Sequence, residues 1–395
     1  MSELSLPREI VMGLFKILGN EKDREMFLSI FQSVNPENFA LLMIEPEVLR
    51  TKSDLLAWDL AFLSHLDLTP LIIVEIEKEN DVKCRNYLIK KVKDYGGQIN
   101  LFPLTRSDKQ AEWMPYQKLQ KCAKNGRLSL ISVDNKIRDG ITATKVALNL
   151  IREFYPRKIL VLNNRGGLYL KNGRGLNYLE IDPDLELLYF QKSITVKTYQ
   201  EIRKYREMLV KADEFGKKVH IQVTSPGDIL KELFTVQGSG TYLNLSNELE
   251  IYNGYKGLDK DKIWSLIESG FNLRLKSKYA FSPQDKVIVD KDYKALAILK
   301  KVNGMLYLDK FVVKKRHQSE GWGNSIWREV LELNAKIFWR TKSSNPLKNW
   351  YFKKSDGHQI VDDWYVYWIG LNEKERKKAL RYCKERDDSF LRETN

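Results

Sequence analysis

The chain has 395 residues, of which 43% are hydrophobic and 30% charged, and carries a net charge of +14 at pH 7. That length suits two domains, each able to bury its own core, and no apolar run approaches the roughly 18 residues of a membrane span. The charge does not argue for nucleic acid, because lysines alternate with acids along helical faces, as in Lys374-Glu375-Arg376-Lys377-Lys378, and no basic block is interleaved with aromatics.

The N-terminus, Met1-Ser2-Glu3-Leu4, has neither a signal-peptide core nor the acid-poor character of a transit peptide, so a cytoplasmic location is expected. Ile10, Leu14, Phe15 and Leu18, then Phe27, Ile30 and Phe31, recur at helical spacing and predict helices over 7–35. A strand at 39–44, a helix at 54–66 and apolar strands at 70–74, 129–133, 158–162 and 220–223 follow. Apolar strands separated by helices predict an α/β domain over 1–246, a mostly parallel sheet with helices on both faces. Residues 247–257 read as a linker, a helix is expected at 261–269, and a mixed α+β domain is expected over 258–395. Cys84, Cys122 and Cys383 are scattered, which fits a reducing compartment rather than a disulfide framework. His65, His220, His317 and His358 are equally dispersed, and no metal site is expected.

The chemistry concentrates between residues 307 and 357. A short apolar strand ends Asp309-Lys310-Phe311-Val312-Val313, a basic turn Lys314-Lys315-Arg316 follows, and Gln318-Ser319-Glu320-Gly321-Trp322-Gly323-Asn324 opens onto a helical pattern. Without Cβ atoms, Gly321 and Gly323 let the loop turn sharply and bring backbone N–H groups against a pyrophosphate at the positive end of that helix. Ile326, Trp327, Val330 and Leu331 give the helix a face to bury. Taken alone, Gln-x-x-Gly-x-Gly serves equally well as an ordinary strand-to-helix turn.

With its strand and helix, the segment resembles the acyl-CoA N-acetyltransferases (GNAT fold). The later series Phe338-Trp339-Arg340, Asn345-Pro346, Trp350-Tyr351-Phe352, Ser355-Asp356-Gly357, Trp364 and Tyr367-Trp368-Ile369-Gly370-Leu371 narrows it. In that order it resembles the acetyltransferase domain of the N-acetylglutamate synthases of the vertebrate type, a family that includes bifunctional synthase/kinases. The resemblance implies acetyl-CoA as co-substrate and L-glutamate as acceptor. It marks Phe311, Val312, Val313, Gln318, Gly321, Gly323 and Asn324 for CoA, through backbone groups of a splayed strand and the glycine loop. It marks Lys310, Arg340, Lys342 and Asn345 for the substrate. A guanidinium captures a carboxylate bidentately, whereas a lysine supplies a point charge. The family has arginine where this chain has Lys342, which keeps the charge and loses the fork. Asn345-Pro346 is equally simple turn chemistry. Tyr351 is the candidate general acid, because a phenol is protonated at pH 7 and can meet a departing thiolate.

The first half resembles the amino-acid-kinase domain of acetylglutamate kinases, through Glu232-Leu233-Phe234-Thr235, Gly238, Gly240-Thr241, Leu162-Asn163 and Gly166-Gly167-Leu168. Its phosphate-binding residues are missing. Met43 stands where a kinase lysine belongs, Glu45-Pro46 where paired glycines belong, Val74-Glu75-Ile76-Glu77-Lys78 replaces a His-Gly-x-Gly-Pro, and Thr142-Ala143-Thr144 an Asn-Ala-Asp. The resemblance therefore implies an inactive kinase-like domain for regulation and homo-oligomerisation, a tetramer, with L-arginine as an effector bound near Gly238–Thr241. A tight packing turn is the simpler reading of those residues. N-acetylglutamate synthesis is the expected activity. A residual acetylglutamate kinase and a non-catalytic arginine- or metabolite-sensing oligomer are the alternatives.

Overall fold

A computed structural model describes residues 40–66, 68–104, 115–134, 142–156, 158–216, 218–234, 240–315, 317, 321–333, 335–345 and 347–391. It separates into two compact units, Met1–Ser246 and Asn247–Asn395. The helices expected over 7–35 lie outside the described residues. Among the described residues, no helix is long and apolar enough to cross a membrane.

The first unit is a layered α/β structure. Its strands are β1 (Leu41–Ile44), β2 (Leu71–Ile76), β3 (Ile99–Leu104), β4 (Leu128–Asp134), β5 (Lys158–Leu162), the small hairpin β6 (Leu168–Tyr169) and β7 (Gly175–Leu176), β8 (Tyr178–Glu180), β9 (His220–Thr224) and β10 (Thr241–Asn244). The helices among them are α1 (Pro46–Thr51), α2 (Ser53–His65), α3 (Glu79–Asp94), α4 (Tyr116–Lys124), α5 (Ala143–Phe154), α6 (Ile181–Phe190), α7 (Val196–Glu214) and α8 (Ile229–Phe234). The main sheet runs β3-β4-β2-β1-β5-β9-β10-β8. Its first six strands are parallel, and β10 reverses against β9. Alternation along the strands divides the core between the two faces. Leu41, Ile73, Ile131 and Val161 pack with α5 and α7, while Leu42, Ile72, Leu130 and Leu160 pack with α2 and α3. Strands buried on both faces must be apolar throughout, which is why they stand out as near-continuous hydrophobic runs.

The second unit holds β11 (Glu250–Asn253), β12 (Lys286–Val289), β13 (Ala295–Val302), β14 (Met305–Val313), β15 (Ile337–Lys342), β16 (Gly357–Val361) and β17 (Trp364–Ile369). Its helices are α9 (Lys260–Phe271), α10 (Trp322–Glu332), α11 (Lys348–Lys354) and α12 (Glu373–Glu385). The sheet order is β11-β12-β13-β14-β15-β17-β16, antiparallel except where β14 meets β15. Residues 247–257, expected as a linker, contribute β11, which pairs with β12 through Ile251↔Ile288. One sheet face packs Phe311, Trp339 and Tyr367 with Trp327 of α10. The other packs Leu296, Ile298 and Val312 with Leu266 of α9, and Tyr307 and Phe338 with Cys383 of α12.

Candidate functional site

The site is built around a break in the second unit's sheet. Strands β14 and β15 pair only through Leu306↔Ile337 and Tyr307↔Phe338. Beyond that point β14 stays with β13 as far as Val313↔Ala295, and β15 stays with β17 as far as Lys342↔Trp364. The facing edges of 308–312 and 339–342 therefore diverge, and among the described residues they leave strand backbone groups of β14 free of a sheet partner on that side. Aromatic rings line one face here. Phe311 lies 5.6 Å from Trp350 and 6.3 Å from Tyr351, Tyr351 lies 5.6 Å from Trp339, and Trp327 lies 5.1 Å from Trp339, measured between ring centres.

At the end of β14 the chain passes through a short basic turn into α10. Gly321 caps that helix at φ +81°, a left-handed conformation that glycine adopts without strain. Gly323, in the first helical turn, is different: among the described residues a Cβ there would meet only Val313, at 4.0 Å. Neither crowding from the described residues nor a positive φ demands glycine at that position. Asn324 donates its backbone N–H to Gly321 at 3.0 Å. Gln318 lies outside the described residues.

A bulge shapes the middle of β14. Leu299 pairs with Leu308 and Ile298 with Lys310, so Asp309 is the extra residue. Its carboxylate, 1% exposed, accepts from Lys310 at 3.1 Å, Arg386 at 2.6 Å and the Tyr279 hydroxyl at 2.8 Å. Burial alone would raise its pKa, but Lys310, Arg386 and Lys300 outweigh it and hold the group at about 2. Burial dominates at Lys310, whose ammonium is pulled below its ordinary value despite the Asp309 charge. Lys310 Nζ also lies 3.1 Å from Ser389 Oγ and 4.6 Å above the Tyr279 ring.

The remaining expected site residues divide between the two sheet faces. Arg340 and Lys342 alternate with Trp339 and Thr341 along β15 and face away from the aromatic cluster. The Arg340 guanidinium donates to the carbonyls of Cys383 and of Asp387 (2.9 Å to the latter) and lies 3.9 Å over Trp364. It thus satisfies carbonyls at the end of α12, which a helix leaves without intrahelical partners. Lys342, half exposed, pairs with Asp388 at 2.9 Å. Asn345 closes a turn: its Oδ1 accepts from the Leu347 N–H at 2.8 Å. Tyr351 lies on the other face with Phe311, and its hydroxyl has no hydrogen-bond partner among the described residues. Burial raises its pKa, followed by the influence of Tyr367. The structure thus brings Tyr351, Phe311 and the start of α10 together on one face, and Lys310, Arg340 and Lys342 together on the other. Sequence reasoning missed Tyr279 and residues 386–389, and it named Trp364 only within the family series without a role. Lys384-Glu385-Arg386-Asp387-Asp388 reads locally as a solvated run, and only its long-range contacts distinguish it.

In the first unit, Glu45 and Glu75 follow the in-register pair Ile44↔Val74 on adjacent strands. They sit at the carboxyl ends of the parallel strands, where open α/β sheets take ligands. Burial, followed by Glu201, pushes Glu45 up to about 7, and burial also raises Glu75. Thr142 is the N-cap of α5, its hydroxyl accepting from the Lys145 N–H at 3.2 Å. A Cβ on Gly240 would lie 1.9 Å from the Val223 carbonyl oxygen, so close backbone approach fixes that glycine. Gly238 lies outside the described residues.

Residues 248–386 match the family model described as the N-acetyltransferase (NAT) of N-acetylglutamate synthase. The chain is 25% identical over 391 residues to human mitochondrial N-acetylglutamate synthase, covering 89% of this chain and 73% of that one. It is 23% identical over 423 residues to a Xylella fastidiosa (strain 9a5c) protein named acetylglutamate kinase, covering 95% of this chain and 100% of that one. Among solved structures, N-acetylglutamate synthase from Neisseria gonorrhoeae complexed with coenzyme A and N-acetyl-glutamate superposes with a TM-score of 0.49 at 13% identity, covering 93% and 97% of the two chains.

Proposed function

We propose that this chain, whose residues 248–386 form an N-acetyltransferase domain of the N-acetylglutamate synthase kind, transfers the acetyl group of acetyl-CoA to the amino group of L-glutamate, giving N-acetylglutamate and CoA at the head of arginine synthesis. The divergence of β14 from β15 beside the glycine-marked start of α10 carries the reading. A pantetheine arm is an extended chain of amides, and the edge of β14 at Phe311 and Val312, past its last pair with β15, supplies complementary backbone donors and acceptors. The pyrophosphate would take the N–H groups and positive dipole at the start of α10, where Gly323 leaves room for close approach.

In the reaction the neutral amine of glutamate attacks the thioester carbonyl, a tetrahedral oxyanion forms, the nitrogen gives up a proton to water, and the C–S bond breaks to release a thiolate that takes up a proton. Holding the amine against the carbonyl supplies much of the acceleration, and a backbone N–H of β14 aimed at the oxyanion supplies a further part. Tyr351 is the proton donor in this reading. A buried phenol with a raised pKa stays protonated across the working range and offers its hydrogen to the leaving sulfur. Lys310, Arg340, Lys342 and Asn345 would hold the acceptor. The first unit serves assembly as a homo-oligomer and regulation by L-arginine, in the cytoplasm.

Phosphoryl transfer is the second reading, favoured by the kinase name of the Xylella relative. Its residues oppose it. Glu45 and Glu75 put carboxylates where a nucleotide's phosphates would lie, and like charges in a partly buried cleft repel. Coenzyme A release by the purified protein with acetyl-CoA and a panel of amino acids, with and without arginine, tests the assignment. Glutamate-dependent release is expected, and release with no acceptor in the panel would overturn it.

A further inference from the structure

The three cations assigned to the acceptor's carboxylates do not face an empty cleft. Residues 386–391, which follow α12, lie across them on a fixed course. Ser389 accepts from the Lys276 N–H at 2.9 Å, Leu391 donates its N–H to the Arg274 carbonyl at 2.9 Å, and Phe390 bridges Leu275 in antiparallel register. From this anchored segment the Ser389 hydroxyl reaches Lys310, the Asp387 carbonyl reaches Arg340, and the Asp388 carboxylate reaches Lys342.

These contacts are chemically unequal. The Asp387 carbonyl leaves the charge of Arg340 available to a ligand, whereas the Asp388 carboxylate neutralises Lys342, as Asp309 neutralises Lys310. Asp388 alone among them is a group of the same kind as the ligand Lys342 is expected to bind. We propose that Asp388 is a positioning residue of the acceptor site: its carboxylate holds Lys342 while the site is empty, and the distal carboxylate of a dicarboxylic amino acid replaces it there. The inference rests on the proposed acetyl transfer to glutamate.

Two observations make the exchange feasible. The Lys342 side chain is 48% exposed, so its ion pair is weak and screened, unlike that of Lys310, which is 3% exposed and locked to Asp309. Asp388 is also ready to occupy the position at neutral pH. Burial pushes its carboxyl up, but Lys342 and the Phe390 N–H outweigh that and keep it below the usual carboxylate range. An acceptor with a neutral end, such as glutamine, cannot replace a carboxylate on Lys342, so removing Asp388 benefits glutamate and not glutamine.

The test compares Asp388→Asn with wild type in steady-state acetylation of glutamate and glutamine. Freeing Lys342 should lower the KM for glutamate about threefold to fivefold, the scale of one exposed ion pair. The kcat, the KM for acetyl-CoA and the KM for glutamine should not move. Glu373→Gln is the control. Its carboxylate faces Lys377 at 2.9 Å within α12, and both side chains are exposed, so the glutamate KM should be that of wild type. An unchanged or raised glutamate KM in Asp388→Asn, or an equal gain for glutamine, would overturn the inference while leaving the acetyl transfer standing. Absence of glutamate-dependent CoA release from wild type would remove the acetyl-transfer reading and this inference together.

Discussion

The Arg386 guanidinium and the Asp309 carboxylate meet at 2.6 Å across 77 positions of sequence, tying the end of α12 to the bulge in β14. Asp309 is buried with two cations and a phenol around it, so its stabilisation depends on all of them. Removing Arg386 leaves a buried carboxylate short of a partner, the costly way to break such a pair. Arg386→Ala should destabilise the second unit by at least about 2 kcal/mol, read by denaturant unfolding at neutral pH. The pH dependence has a definite sign. A folded pKa of about 2 lies below the unfolded value of about 3.9, so Asp309 contributes stability above pH 4 and loses it as pH falls from 4 towards 2. That acid-side loss should be smaller in Asp309→Asn.

Gly323 predicts two effects of opposite sign. A helical glycine is about 0.5–1 kcal/mol less favourable than alanine, and among the described residues a Cβ at this position would meet only Val313, at 4.0 Å. Gly323→Ala should therefore leave the ligand-free protein as stable as wild type or slightly more so, while weakening CoA binding. Gly323→Glu should abolish CoA binding without unfolding, since its side chain would place a negative charge where the pyrophosphate is expected. Thermal melts paired with calorimetric CoA titrations check both, and unaltered affinity in Gly323→Glu would remove α10 from the CoA site.

How much of this could be read from the chain depends on the range of the contacts. Strands such as β2 and β4 are buried on both faces and announce themselves as apolar runs. β11 does not, because it is a sheet edge with Glu250 and an exposed Ile251, and its pairing with β12 involves residues more than 30 positions on. The glycine loop and the cations of β14 and β15 are visible as local patterns. What Lys310, Arg340 and Lys342 face is not, since apart from Asp309 beside Lys310 the groups that meet them arrive from Tyr279, Trp364 and residues 383–389 through tertiary structure alone. The diverging strands are hidden for the same reason: sequence marks two strands but not where their pairing stops.

Tyr351→Phe separates binding from chemistry. The ring packs against Phe311, Trp339 and Trp350, and phenylalanine keeps that packing. The hydroxyl is unpaired among the described residues, so its loss should cost little stability. The kcat should fall about tenfold or more, with the KM for acetyl-CoA changed far less. Because the Tyr351 pKa is raised, wild-type kcat should show no descending alkaline limb below pH 10 from this group. An unchanged kcat in Tyr351→Phe would exclude the tyrosine as the proton donor.

Glu45 gives the opposite linkage to Asp309. Its folded pKa of about 7 lies above the ordinary carboxylate value, chiefly through burial and then through the charge of Glu201. The folded state therefore binds its proton more tightly than the unfolded chain, and ionising the group costs stability as pH rises from 4.5 to 7. Glu45→Gln removes that cost. It should stabilise the first unit by about 2 kcal/mol at pH 8 and by progressively less towards pH 5, measured by denaturant unfolding across that range. A carboxylate held at such a cost has no packing purpose that glutamine would not serve. If Glu45→Gln gave equal stability at pH 5 and pH 8, Glu45 would be ionised without penalty, and burial would not be raising its pKa.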